Sequence, residues 1–252
     1  MKHILALIFS SFFLNSISAQ DINALLKEAE TLENTANEEA AYGKYIEVLK
    51  VNPNQVHALA KCSELCARIG KREKSNSSRD AYYETAKNFA LKAISIDPDN
   101  SEANCSMAVA LGRNTMSKSG KQKMEASREI KKYVDAAIKA NPNNFLAWHV
   151  LGRWQYELSC LSFVERSAVK IFYGGLPPTS FKEAIVAFEK CQSITQEFVL
   201  NYFELAKAYH KDGQNDKAIA LVKKMFTLTN RTEDDAAIKD DGRKLLLILE
   251  KK

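Results

Sequence analysis

The residues best able to ligate a metal or attack a substrate in this chain are His57, His149, His210 and five cysteines, and their spacing argues against both chemistries. The histidines stand in three separate segments, with no His-x3-His pair and no Cys/His cluster of the kind a zinc site needs. Cys62, Cys66, Cys105, Cys160 and Cys191 are odd in number, which excludes a fully paired disulfide framework. Cys62 and Cys66 fall four residues apart on one helix face, as a redox or metal pair or as two small core residues; without a CxxC motif the core reading is the expectation. The chain lacks a Gly-x-Ser-x-Gly elbow, a His-Glu-x-x-His helix and a glycine-rich phosphate loop. No enzymatic activity, cofactor or metal is therefore expected. What remains is recognition by cations and aromatic rings, and that depends on the elements that hold them.

Those elements are marked by a phrase that returns: Asn52-Pro53-Asn54, Asp97-Pro98-Asp99 and Asn141-Pro142-Asn143, with the prolines 45 and 44 residues apart. Each phrase separates two helix-like apolar runs. A Pro-marked turn at a nearly fixed period signals a helical solenoid, which builds a long concave surface rather than an enclosed pocket. With the turns in register, Leu59, Asn104, Trp148 and Tyr202 share one position. Cys62, Met107, Leu151 and Leu205 follow three residues later, and the small residues Ser63, Ala108, Gly152 and Ala206 one further. Large, apolar, then small on one face lets two helices approach closely. The pattern resembles the tetratricopeptide repeat, most cleanly in Tyr202, Leu205, Ala206, Tyr209, Gly213 and Ala218.

From the large residue of each first helix to the small position of the second, the units span 27, 26, 36 and 16 residues, so the extra length lies inside the repeats. The first two inserts hold Lys71–Ser78 and Ser117–Lys123, polar stretches expected as loops or helix extensions. Ile22–Leu32 and Glu38–Val51 are predicted as an N-terminal helix pair, and Thr232 as the cap of a helix running to about Leu249. The expected fold is all-α: a tetratricopeptide-repeat-like α-solenoid of about eleven or twelve antiparallel helices, with an inserted helix in the third full repeat.

Lys2 and His3 precede an apolar run from Ile4 to Leu14, and Ser18-Ala19 offers a cleavage position before Gln20. This reads as a secretory leader over residues 1–19, too short for a comfortable membrane span. The expectation is a single repeat domain, residues 20–252, exported across an inner membrane and periplasmic or extracellular. The formal net charge of +5 drops by one with the loss of Lys2. That is too mild to argue for nucleic acid.

The third insert carries a second resemblance. Leu151-Gly152-Arg153-Trp154 is followed by Leu161 to Ala168, reading LSFVERSA, and then by Phe172-Tyr173-Gly174-Gly175-Leu176-Pro177-Pro178. This resembles the regulator of microtubule dynamics family, in which a Leu-Gly-Arg-Trp helix precedes an aromatic-x-Glu-Arg helix, a Phe-Gly pair and a Pro-containing turn. Tyr173 makes the Phe-Gly step one residue longer than that pattern. The resemblance implies a binding protein rather than an enzyme; eukaryotic members are associated with microtubules and some with mitochondrial or endoplasmic-reticulum membranes. A chain exported by a bacterial-type leader would meet no microtubule. The insert, about residues 160–178, is expected to form a lid that fills the concave side and packs on Trp154 and Tyr156, with an apolar pocket wall and a membrane-docking helix as alternatives.

Transferring the concave positions of a tetratricopeptide repeat places Arg68, Arg113, Arg153, Lys207 and Lys211 in the groove, with Glu64, Glu102, Glu157 and His57, His149 and His210. The candidate partner-binding residues are His149, Arg153, Trp154, Tyr156, Phe163, Phe172, Phe203, Lys207 and His210. Arg153 has two readings: a grip on an anionic group, or an internal partner of Glu165 or Glu157. Two functions follow. A scaffold would hold a peptide or protein segment in an open groove. A carrier would enclose a lipid-like anion, its chain against Phe163, Phe172 and Phe203 and its head near Arg153 and Lys207, within an apolar cavity with cations at its mouth.

Overall fold

A computed structural model describes residues 11–114, 120–175 and 177–251, the side chains of 11–21, 114, 172 and 173 excepted. Among the described residues there are twelve helices: α1 (Ser11–Asn34), α2 (Glu38–Val51), α3 (Val56–Arg72), α4 (Asn76–Ile96), α5 (Ser101–Asn114), α6 (Gly120–Ala140), α7 (Phe145–Ser159), α8 (Phe163–Tyr173), α9 (Phe181–Ile194), α10 (Val199–Lys211), α11 (Asn215–Met225) and α12 (Asp235–Leu249). No strand occurs among the described residues. Helices pair as α1/α2, α3/α4, α5/α6, α7/α9 and α10/α11, and α12 closes the stack against α10 and α11. The first helices α3, α5, α7 and α10 lie side by side, each touching the next, and form the inner layer of the solenoid.

The recurring Pro phrase works through its polar neighbours. The Asn52 and Asn141 side chains accept from the backbone N–H two residues on, at 3.1 and 3.0 Å, which folds the chain around the proline. Gln55, Asn100 and Asn144 then cap α3, α5 and α7 by accepting from Ala58, Ala103 and Ala147. The aligned large position fastens the turn from the other side. Asn104, Trp148 and Tyr202 each donate to a carbonyl six residues back, at Pro98 (2.8 Å), Pro142 (2.9 Å) and Gln196 (3.2 Å). The small positions are all buried: Ser63, Ala108, Gly152 and Ala206. At Gly152 the approach of α9 is so close that an added Cβ would sit 2.6 Å from the Phe188 ring.

Among the described residues the extra length of the first two inserts is mostly helical. α3 and α4 run to 17 and 21 residues across a short break at 73–75, and α6 has 21 residues. Part of the Ser117–Lys123 stretch, residues 117–119, lies outside the described residues. At the C-terminal end the expected cap is reversed: Asp235 accepts from the Arg231 and Thr232 amides and from the Thr232 hydroxyl, so its carboxylate organises the turn. The expected leader junction, Ala19–Gln20, falls within α1, and residues 1–10 lie outside the described ones. No described helix is long and apolar enough to cross a membrane.

The inserted helix forms as expected but elsewhere. α8 starts with a capping box between Ser162 and Glu165 and ends at Gly174 in the left-handed region, φ 74°. It packs against α6, the second helix of the preceding repeat, and not over the inner layer. Arg166 ties it to the end of α7 through the Leu158 carbonyl, and Arg128 of α6 donates to the Gly175 carbonyl just beyond α8. Phe163, Val164 and Ile171 face solvent, Phe163 at 85 % exposure. The lid expectation is therefore corrected. The short link after α7 leads the helix towards α6.

Candidate functional site

The inner layer is organised by two groups of ion pairs. At the first repeats, Glu33 of α1 accepts from Arg68 (2.7 Å) and Lys61 (3.4 Å) on α3. Arg72 reaches the fully buried Glu38 at 2.7 Å. Burial alone would raise the Glu33 pKa; the charges of Lys61 and Arg68 reverse this and hold it below the usual carboxylate range. Glu64 goes the other way, raised by a burial that its pull from Lys61 does not offset. His57 takes Glu102 of α5 at 2.6 Å, and that hydrogen bond raises the imidazole pKa.

The second group bridges α7 and α10. Glu204 accepts from Arg153 at 2.9 Å and from Lys207 at 2.8 Å, with its side chain 4 % exposed. Arg153 also reaches Glu157 at 3.1 Å. Lys207 stands over the Tyr156 and Phe203 rings, 5.0 and 5.4 Å from their centroids. Burial would raise the Glu204 pKa, but its two cations hold it low. Between the groups sits Arg113 of α5. Burial holds its pKa below the ordinary guanidinium value; Tyr83 opposes this and the charge of Arg153 adds to it. The charges of Asp234 and Glu204 also act on Arg113, although among the described residues neither stands in a direct ion pair with it.

The candidates from sequence thus divide. Arg153, Tyr156, Phe203 and Lys207 come together around Glu204. His149 is buried: its Nδ1–H donates to Asn201, whose amide donates to the Phe188 carbonyl, a structural bridge between α7, α10 and α9. Burial lowers its pKa to about 4. Trp154 points away from the groove and donates to the Ser127 carbonyl and hydroxyl on α6. His210 accompanies Asn215 at the turn into α11. Phe163 is on the outer helix α8, and the Phe172 side chain lies outside the described residues. Arg153 pairs with Glu157 as one reading had it, whereas Glu165 is committed to the α8 cap. Sequence reasoning missed Glu33, Glu38 and Glu204, the acids that neutralise the groove's cations; Glu204 alone was signalled, three residues before Lys207.

Of the residues named for a carrier, Phe163 is exposed on α8 and Phe203 lies on the inner layer, while the Phe172 side chain lies outside the described residues. A cleft of about 180 Å³ beside α3 and α5 mixes Lys61, Glu64, Glu102 and Asn144 with Phe145 and Leu146, and an open apolar cleft of about 240 Å³ lies between α7 and α9 at Trp148, Leu151 and Val186. The cysteines are free, and all but Cys160 are buried. Burial pushes the Cys66 and Cys191 thiols up to about 11 and 12, far from nucleophilic character. Among the described residues no cluster of His, Cys, Asp and Glu could hold a metal.

Paired helices, small-residue crossings and a charged inner layer define a tetratricopeptide-repeat-like solenoid. The same fold occurs in a thermophilic TPR protein of Thermus thermophilus, with a TM-score of 0.64 and 14 % identity over 90 % of this chain and 99 % of that one. It recurs in PilW, a type IV pilus biogenesis factor, with a TM-score of 0.53 and 16 % identity over 92 % of this chain and 91 % of that one. The family model "Regulator of microtubule dynamics protein 1-3" matches residues 25–250, and the chain belongs to that family. Regulator of microtubule dynamics protein 3 of Bos taurus is 25 % identical over 236 residues, 91 % of this chain and 50 % of the bovine one. Regulator of microtubule dynamics protein 1 of Caenorhabditis elegans is 23 % identical over 160 residues, 64 % of this chain and 71 % of the worm protein. The chain spans about half the length of the bovine relative.

Proposed function

We propose that the protein is a non-enzymatic scaffold that binds an anionic peptide or protein segment in its concave groove, outside the cytoplasm. The observation that carries this reading is Arg113, a guanidinium influenced by Asp234 and Glu204 but in no direct ion pair among the described residues, beside the Arg153–Glu204–Lys207 cluster and its aromatic floor. Guanidinium groups grip carboxylates with two hydrogen bonds, and an aromatic floor supplies contact area for the neighbouring chain. The tetratricopeptide-like fold and the family's names support a binding role over catalysis. The leader-like residues 1–19 support export, and with export a microtubule is not the partner. Fluorescence anisotropy with labelled acidic peptides and the full chain tests the reading. Arg113→Ala should weaken binding by about tenfold while leaving the thermal midpoint within a few degrees, and about 0.5 M salt should weaken it further. Binding that ignores both changes refutes it.

A further inference from the structure

The last repeat touches the first. Glu233, in the turn before α12, accepts from the backbone N–H of Glu38 at 3.0 Å, across 195 residues of sequence. That amide belongs to the first turn of α2, whose N-cap residue Asn37 makes no side-chain capping bond. The same carboxylate pairs with Arg72 at 3.1 Å. Asp234 pairs with Lys71 at 3.2 Å and lies 4.0 Å from Arg72. Its charge also acts on Arg113 and on Tyr83. Two adjacent carboxylates thus meet two cations and a helix N-terminus, a combination suited to anions. The turn keeps its shape without them, since Asp235 makes the hydrogen bonds that organise residues 231–235.

We propose that Lys71, Arg72 and the α2 N-terminus form a binding site for an acidic peptide bearing two adjacent carboxylates, occupied here by the chain's own Glu233–Asp234, which latches the solenoid closed. The site rests on the groove reading above and gives its partner a chemistry. An incoming acidic segment displaces the tethered one, and the two ends of the stack part. Because the occupant is tethered, the latched chain binds free peptide weakly.

The test uses the full chain and the variant Glu233→Ala/Asp234→Ala, which removes both the acceptor for the Glu38 amide and the two charges, with a labelled peptide of residues 228–238 as probe. The variant should bind the probe about tenfold more tightly than the unsubstituted chain, and adding Arg72→Ala should abolish the gain. Hydrogen exchange at the first turn of α2 should speed up about tenfold in the variant. Equal probe binding by both chains, or unchanged exchange, overturns the latch. Faster exchange with no probe binding to either chain overturns the acidic-peptide site. The groove reading itself fails separately, by the Arg113→Ala experiment.

Discussion

Glu204→Gln tests whether the α7–α10 cluster is held by charge. In the folded chain one carboxylate oxygen takes Arg153 and the other takes Lys207. Glutamine keeps one acceptor and presents N–H groups to the other cation, so one positive charge is left against a donor. Breaking a fully buried pair costs about 3–5 kcal/mol. Here the cations keep side-chain exposures of 38 and 28 %, and solvent takes up part of the loss, which brings the cost to about 2 kcal/mol. For a chain of this size that is about 4–8 °C in the thermal midpoint, read by circular dichroism at neutral pH. The sign with pH follows from the depressed Glu204 pKa. A carboxylate held low stabilises the fold above its unfolded pKa, and that stabilisation is lost as pH falls through the folded value. The gap between the two proteins should therefore narrow below about pH 4. A gap below about 1 °C at pH 7, or one that persists in acid, refutes the reasoning.

Three further outcomes are expected. Gly152→Ala drives a methyl into the buried Phe188 ring and should cost about 1–3 kcal/mol despite the better helix propensity, measured by urea unfolding. His149 is about 6.5 unfolded and about 4 folded, so it stabilises above pH 6.5 and should withdraw about 3 kcal/mol as pH falls towards 4; His149→Gln should flatten that slope. His57 has the opposite sign, because its raised pKa gives stability present below 6.5 and lost as pH rises through the folded value; His57→Gln should lower stability on the acid side and flatten that fall.

The fold was legible because its signals are local. The Pro turns, their capping side chains and the small positions at Ser63, Ala108, Gly152 and Ala206 all act within a repeat or its neighbour. The aligned large position carried more than its size suggested, since Asn104, Trp148 and Tyr202 look unrelated yet share one hydrogen-bond task. The site was half legible. Register placed Arg153 and Lys207 on the inner layer, but periodicity cannot say which acid from another helix will neutralise them, as Glu33 and Glu204 do. Nor could it orient Trp154 towards α6 or place α8, because an apolar stripe tells how a helix divides its faces and not which surface it meets. The contact between Glu233 and Glu38 depends on how far the whole stack curls, which no single repeat encodes.

The central claim is that the groove, not the outer helix, receives the partner. Site-specific photo-cross-linking in cells that express the protein tests it directly, with the reactive group placed at Phe203 on the inner layer or at Phe163 on α8. The account predicts a discrete partner adduct from Phe203, weakened by Arg113→Ala, and none from Phe163. An adduct from Phe163 with none from Phe203 would contradict it.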